Sequence, residues 1–280
     1  MSDPVLYALS ALLACHPPEP EPSVPDTCNG HRALCDRTFD TVALPAAHNA
    51  MSNEDDGWTV SNQPHGLARQ LEDGIRGMLL DTYPWNGDLY LCHGYCELGA
   101  TPLADALAVL RDFLDAHRGE VMVIIFEDGI TAEQTAGAFA AADLDRLTYT
   151  WDGGAWPTLG EMVAADTRLL VTAEQGGPPP DWYQHAWDLY VDTPYDFATV
   201  DDFTCDVNRG APTNPLFLLN HWVEDPFPSA EQAAEANAYA VLHDRAVACA
   251  EAFGRNPNLV AVDWYTEGDL FLVVDGLNGM

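Results

Sequence analysis

From about residue 38 onward, short apolar runs alternate with amphipathic stretches. The runs Thr41–Ala47, Gly77–Thr82, Leu89–Cys92, Val121–Phe126, Arg168–Thr172, Leu189–Val191, Pro215–Leu219 and Leu259–Asp263 predict strands. Several are continuously apolar, as strands covered on both faces should be. Between them, Leu103, Leu107, Leu110 and Leu114 recur at helical spacing ahead of Arg118-Gly119. Thr131–Ala142 is alanine-rich and helical in character, and Ser229-Ala230-Glu231-Gln232 reads as a capping box opening one helix that runs to about Phe253. There is no internal repeat and no second composition regime after residue 28. Strand–helix alternation of this length predicts a single α/β domain, a TIM-type barrel over residues 28–280.

Polar groups follow the apolar runs in a regular way. His48-Asn49 follows the first, Asp81 ends the second and His93 follows Leu89–Cys92. Glu127-Asp128, Glu174, Asn220-His221 and Asp263 stand at the ends of four later runs. A polar residue at one strand end is ordinary helix capping. Repeated at strand after strand, in a chain with only nine histidines, it predicts a mouth where acid–base groups converge, with room for a hard metal.

Charge narrows the chemistry. The chain has 44 acidic and 11 basic residues, a formal charge of −33, and every basic residue is arginine. A lysine Schiff base and a P-loop lysine are excluded. Nucleic-acid binding lacks the clustered positive charge it needs, and so does unaided attraction to an anionic bilayer. So acidic a surface suits an extracellular or high-salt setting and favours divalent cations. No Gly-x-Ser-x-Gly or His-Glu-x-x-His is present, so serine-triad and zinc-protease chemistry fit poorly.

At the N-terminus, the apolar run Val5–Leu13 has the length of a signal-peptide core, although Met1-Ser2-Asp3-Pro4 lacks the usual positive charge. A small residue before Cys15 resembles a lipoprotein cleavage site with Cys15 as the lipidated residue. The Pro/Glu-rich stretch that follows reads as a tether, so residues 1–27 are expected to be a leader and linker. The expected location is exported: extracellular or membrane-anchored. Setting Cys15 aside, six cysteines remain of seven. Local spacing favours Cys28–Cys35 and Cys92–Cys96, which leaves Cys205–Cys249, among many pairings that six cysteines allow. Zinc is the rival, since His31 lies between Cys28 and Cys35 and His93 follows Cys92; neither pair has the short knuckle spacing.

Ala46-Ala47-His48-Asn49-Ala50, then Gln70-Leu71-Glu72-Asp73-Gly74-Ile75-Arg76 with Leu80-Asp81, then Leu91-Cys92-His93-Gly94, resemble the catalytic segments of the phosphatidylinositol-specific phospholipase C X-domain superfamily. Val121–Glu127 resembles the strand that follows. Cys28-Asn29-Gly30 with Leu34-Cys35-Asp36-Arg37, and the ending Val262-Asp263-Trp264-Tyr265 with Leu277-Asn278-Gly279, resemble a secreted, disulfide-containing branch. The resemblance implies a distorted barrel and a phosphodiesterase acting on a phosphoinositide-like ester.

That chemistry needs a base for the attacking hydroxyl, an acid for the leaving alkoxide and a positive group for the phosphoryl oxygens. Two histidines suit the first two roles, with unperturbed pKa values of ~6.5. The resemblance implies His48 as base and His93 as acid; Asp263 is expected, from its position, to orient the base. Metal-independent members of the superfamily carry an arginine at the position of Tyr83. Metal-dependent members use four oxygen ligands, of which Asn49, Asp81 and Glu127 are present and Leu79 replaces the fourth. A Ca²⁺-assisted site is therefore expected, its shell completed by water and substrate. Arg76, five residues before the strand end, is expected in a structural ion pair. Tyr83, Glu174, Asn220, His221 and Tyr265 are candidate substrate contacts, and Trp85, Tyr95, Trp222 and Tyr265 are candidate rim aromatics for sugar or lipid, with equal weight given to packing. The expected partner is a phospholipid or other phosphodiester, met in transient contact with a membrane surface. Glycerophosphodiesters or sphingolipids on the same barrel, and a surface module without activity, stand as alternatives because of Leu79 and Tyr83.

Overall fold

The computed structural model describes residues 25–280. The expected signal segment Val5–Leu13 and Cys15 lie outside the described residues. In chain order the elements are β1 (Leu44–Ala47), α1 (Leu67–Asp73), β2 (Gly77–Trp85), β3 (Asp88–Leu91), β4 (Thr101–Pro102), α2 (Leu103–Ala116), β5 (Met122–Asp128), α3 (Ala132–Ala141), α4 (Leu159–Ala165), β6 (Leu169–Ala173), β7 (Tyr183–His185), α5 (Ala186–Leu189), β8 (Tyr190–Asp192), β9 (Leu216–His221), α6 (Ala230–Ala236), α7 (Tyr239–Phe253), β10 (Leu259–Val262) and α8 (Leu270–Asn278).

Eight strands pair in parallel in the order β7-β6-β5-β2-β1-β10-β9-β8. This is a curled α/β sheet of TIM-barrel type whose circle is not joined between β7 and β8. The run Leu89–Cys92 departs from expectation. It forms β3, an antiparallel hairpin on an extension of β2 rather than a barrel strand, because β2 continues past Thr82 to Trp85 and turns at Asn86-Gly87. The expected strand at Thr41 starts only at Leu44, after a 3₁₀ turn at Phe39–Thr41.

Side chains alternate between two faces along a strand. On the outer face Ala47, Met78, Leu80, Ile124, Phe126, Val171, Leu219, Val260 and Val262 join one apolar core with α2, α7 and α8. On the inner face Leu44, Ala46, Val123, Ile125, Leu170, Leu218, Leu259 and Ala261 form a second, closed at one end by Phe39, Trp156, Leu159 and Met162. The parallel register pairs inner with inner: Ala46 with Ala261, Leu79 with Ile125, Asp81 with Glu127. A polar residue an even number of positions beyond an inner apolar residue therefore reaches the mouth.

The same alternation corrects the expectation for His221. It is one residue out of phase with Asn220 and turns to the outer face, fully buried. Its Nε2–H donates to the Ala236 carbonyl at 2.8 Å, its Nδ1 accepts from Arg245 at 3.2 Å, and its ring packs on Phe203. It is no substrate contact. The single helix expected from Ser229 to Phe253 is two. Asn237 is captured by the loop after β10: its Nδ2 donates to the Asp263 carbonyl, and its own carbonyl accepts from Asp269. The Asp269 carboxylate accepts from the Tyr239 amide and starts α7 afresh.

The C-terminal helix closes the barrel with an imitation of strand pairing. Asn278 Oδ1 accepts from the Ala43 amide at 3.0 Å, and its Nδ2 donates to the Ala43 carbonyl at 2.9 Å, just before β1 begins. Removing that side chain strands two buried backbone groups, at about 1–3 kcal/mol each. Asn278→Ala is expected to lower Tm by several degrees in a calorimetric scan. A second measurement follows from His221, whose pKa burial lowers to about 3. Below about pH 6.5 the unfolded chain binds a proton there that the folded chain refuses, so stability falls as pH falls, by at most about 1.4 kcal/mol per pH unit. Urea titrations at about pH 4.5 and about pH 7.5 should show His221→Gln losing less stability between the two than the wild type. An equal loss would remove His221 as an acid-sensitive group.

Candidate active site

The mouth holds a cavity of about 510 Å³ lined by His48, Asn49, Asp81, His93, Glu127, Glu174 and Asn220, all expected from the sequence, together with Arg209, Trp222 and Glu224. Most of these sit on the inner-face phase. His48 lies two residues beyond Ala46, Asp81 two beyond Leu79, Glu127 two beyond Ile125, and Asn220, Trp222 and Glu224 follow Leu218 at steps of two.

His48 stands at the end of β1 against the end of β10. Its Nδ1 meets Asp263 Oδ1 at 2.8 Å. Asn62 Nδ2 donates to both oxygens of Asp263 at 3.2 Å and to Glu224 Oε1 at 3.1 Å. Gln63 holds the backbone below, donating to the His48 carbonyl at 2.7 Å and the Val262 carbonyl at 2.9 Å. Burial lowers His48 to about 4, with the Glu224 carboxylate working against that shift. The imidazole is therefore neutral at pH 7. Burial works to raise Asp263, and the Asn62 hydrogen bonds oppose it by favouring the ionised form.

His93 comes from the β2–β3 hairpin. The Cys92 amide donates to the Asp81 carbonyl, and the Cys92–Cys96 disulfide closes the turn that carries the ring. His93 Nδ1 meets Asp81 Oδ2 at 2.8 Å, and this bond raises the His93 pKa above its ordinary value. The two histidines thus share one geometry, Nδ1 on a buried carboxylate, and are displaced in opposite directions, one by desolvation and one by its partner.

Across the cavity, Arg209 supplies a guanidinium that the motifs did not reveal. The loop after β8 doubles back along that strand's free edge: the Asp192 amide donates to the Arg209 carbonyl, and the Asn208 amide to the Asp192 carbonyl. Arg209 Nε and Nη2 then donate to Asp192 Oδ2 at 2.9 and 2.6 Å, and Nη1 to Glu174 Oε1 at 2.8 Å. Asn220 Nδ2 also donates to Asp192 Oδ2. The Arg209 guanidinium lies over Trp187 at 3.9 Å and Tyr195 at 4.9 Å. Burial raises Glu174 to about 7 against the opposing charge of Arg209.

The oxygen donors expected to hold a cation can be tested on this geometry. Asn49 is buried in the cavity wall, and its side-chain nitrogen has no hydrogen-bond partner. Amide oxygen and nitrogen are exchanged by a flip, so the group is not committed to the protein. Glu127 is raised by burial and then by the nearby charge of Asp81. An uncommitted amide beside two mutually repelling carboxylates fits a hard dication.

Other expectations fall away. Tyr83 is outside the cavity lining and packs on the outer core. Tyr265 is buried on that same core, its hydroxyl donating to Asp73 at 2.7 Å. Tyr265 is therefore not positioned as a substrate contact, whereas Tyr83 has its pKa raised by burial and by the charges of Glu127 and Asp81, which lie near it. Trp222 is buried rather than on the rim, and Trp85 packs edge-on against Tyr90 in the hairpin. Tyr95, 73% exposed, is the rim aromatic that reaches solvent. Arg76 pairs with Glu120 at 2.7 Å, away from the cavity, as an ion pair within the scaffold. All six cysteines among the described residues are in disulfides, Cys28–Cys35, Cys92–Cys96 and Cys205–Cys249, so none of these offers a thiolate for zinc. Asp192, Arg209, Glu224 and Asn62 were not anticipated. The phase of β8 and β9 carries a signal for Asp192 and Glu224, whereas nothing periodic announces Arg209 or Asn62.

Comparison with known proteins agrees with this architecture. The family model described as PI-PLC X 1 matches residues 34–278. A PI-PLC X domain-containing protein of Arabidopsis thaliana is 29% identical over 86% of this chain and 62% of its own length. A secreted protein of Arthroderma benhamiae is 27% identical over 94% of this chain and 66% of its own. The chain thus spans a little under two thirds of the length of these two relatives. Among solved structures, the phosphatidylinositol-specific phospholipase C of Listeria monocytogenes superposes with a TM-score of 0.58 at 18% identity, over 91% of this chain and 95% of the other. A Staphylococcus aureus phosphatidylinositol-specific phospholipase C variant superposes at 0.62 and 15% identity, over 91% and 98%. With the family model matched across nearly the whole described chain, on a barrel of the same shape, this protein belongs to the PI-PLC X domain family.

Proposed function

We propose that the protein is a phosphodiesterase of the phospholipase C type, cleaving an ester whose alcohol carries a neighbouring hydroxyl. The observation that carries this reading is the pair of histidines on one cavity, each bound through Nδ1 to its own buried carboxylate. Such bonds fix the tautomer and leave Nε2 of each ring for substrate. The opposite displacements divide the roles. His48, held neutral by burial, takes the proton of the attacking hydroxyl. His93, whose pKa the Asp81 hydrogen bond raises, gives a proton to the leaving alkoxide. Attack by the neighbouring hydroxyl yields a five-membered cyclic phosphate.

The phosphoryl charge meets an acidic wall. Asp81, Glu127, Glu174, Asp196 and Glu224 line the cavity, and Arg209 alone among arginines does so. Arg209 is already bound to two acids. This imbalance supports a bound Ca²⁺, held by Asn49, Asp81 and Glu127, which would neutralise phosphoryl oxygens. The disulfides, and the secreted description of the Arthroderma benhamiae relative, support an extracellular location. Exposed Tyr95 and Phe227 support brief contact with a lipid surface, and lipidation at Cys15 would keep the enzyme near it. A phosphoinositide-like substrate is the favoured ester.

Purified protein assayed against a panel of phosphodiesters, followed by ³¹P NMR, is expected to give a cyclic phosphate from an inositol ester. EDTA should suppress turnover, and calcium should restore it. His48→Ala and His93→Ala are each expected to lower kcat by about 10²–10⁴-fold. Turnover indifferent to both changes would refute the assigned roles. A glycerophosphodiester or sphingolipid turned over without the cyclic inositol product would move the enzyme to another ester class.

A further inference from the structure

A hydrogen bond at Nδ1 tells a ring where one nitrogen must be, yet the ring can still rock about that bond. His48 has a second restraint. The indole of Trp222 lies flat on it, ring centroids 3.7 Å apart and planes 7° from parallel. Trp222 is only 4% exposed. Beyond it stands Tyr195, at 6.0 Å and 24°, and beyond Tyr195 the Arg209 guanidinium, itself laid on Trp187. One face of the indole is thus taken by the imidazole. The arm that bears it is fixed in turn, since the Glu224 amide donates to the Phe197 carbonyl and Asn62 ties Glu224 to Asp263.

We propose that Trp222 is a positioning residue for His48, the first member of a stacked column, Trp222–Tyr195–Arg209–Trp187, that sets the plane of the base and the place of the guanidinium together. The proposal rests on the reading of His48 as the base. Its structural part, that the indole fixes the imidazole, stands apart from turnover and can be measured separately.

Trp222→Met removes the ring at similar bulk, and Trp222→Phe keeps a flat face. In a calcium-loaded assay Trp222→Met is expected to lower kcat by about 10–100-fold with KM nearly unchanged, since misplacing a catalytic group by about 1 Å costs up to about 10²-fold. Trp222→Phe is expected to recover most of the loss. Long-range ¹H–¹⁵N correlation on histidine-labelled protein at one fixed pH supplies the readout that needs no substrate. In the wild type His48 should show a single tautomer with Nδ1 protonated, and in Trp222→Met averaged nitrogen shifts. An unaltered His48 spectrum in Trp222→Met overturns the proposal, as does a Phe variant no better than Met. Should Trp222→Met not fold, Tyr195→Leu tests the column at a side chain that is 43% exposed. There a fall in kcat without a rise in KM supports it, and a rise in KM alone overturns it. If wild-type turnover proves insensitive to His48→Ala while the spectra change as expected, the assigned reaction fails and the positioning contact survives.

Discussion

The architecture of the site depends on one constraint: a strand in a parallel sheet must send successive side chains to opposite faces. Once Ala46, Leu79, Ile125, Leu218 and Ala261 are committed to the interior, His48, Asp81, Glu127, Asn220 and Asp263 have no other direction to take. The parallel register then steps them across the mouth: Asn220 pairs with Ala261, His48 and Asp263 stand two residues beyond the Ala46–Ala261 pair, and Asp81 pairs with Glu127. The cavity is less an added feature than the place where the inner apolar layers stop and the phase continues into polar residues.

Electrostatics does the rest with few parts. Each imidazole is joined to one carboxylate, and the difference between the two lies in their surroundings. Both acids are buried, but His48 is itself largely buried beneath Trp222, while the His93 ring on its hairpin is half exposed. The same bond therefore yields a neutral ring in one place and a readily protonated one in the other. Acidic residues dominate the surrounding wall, in keeping with a chain of net charge −33, so the cavity favours positive over negative charge.

Much of this was legible in the residues. The apolar runs located seven of the eight parallel strands within a few positions but not the short β7, whose Tyr183-Gln184-His185 is not an apolar run, and the two histidine segments with Gln70–Arg76 between them pointed to the family matched over residues 34–278. Where reading fell short, the reasons are physical. His221 was grouped with Asn220 by adjacency, although adjacency in a strand means opposite faces. Asp192 was missed because the strand was ended one residue early, at Val191. The hairpin strand β3 looked like a barrel strand because local pattern does not reveal the direction of pairing. The break at Asn237 comes from a loop thirty residues away, which no helical periodicity can register. Arg209 lies in a Pro/Gly/Asp-rich loop, and its position follows from a backbone pairing that leaves no mark in the pattern of side chains.

That pairing makes the gap between β7 and β8 more than an imperfection. A lone strand margin offers its amides and carbonyls to any extended peptide that drifts by. Here the chain answers with its own irregular segment, capped by a charged group that also serves the cavity. The segment is moored to the scaffold as well, by the Cys205–Cys249 disulfide to α7, by Arg245 donating to the Thr204 carbonyl and by Phe203 packed on His221. The unsealed side is thus held by a covalent tether and an ion-paired guanidinium instead of by a further strand.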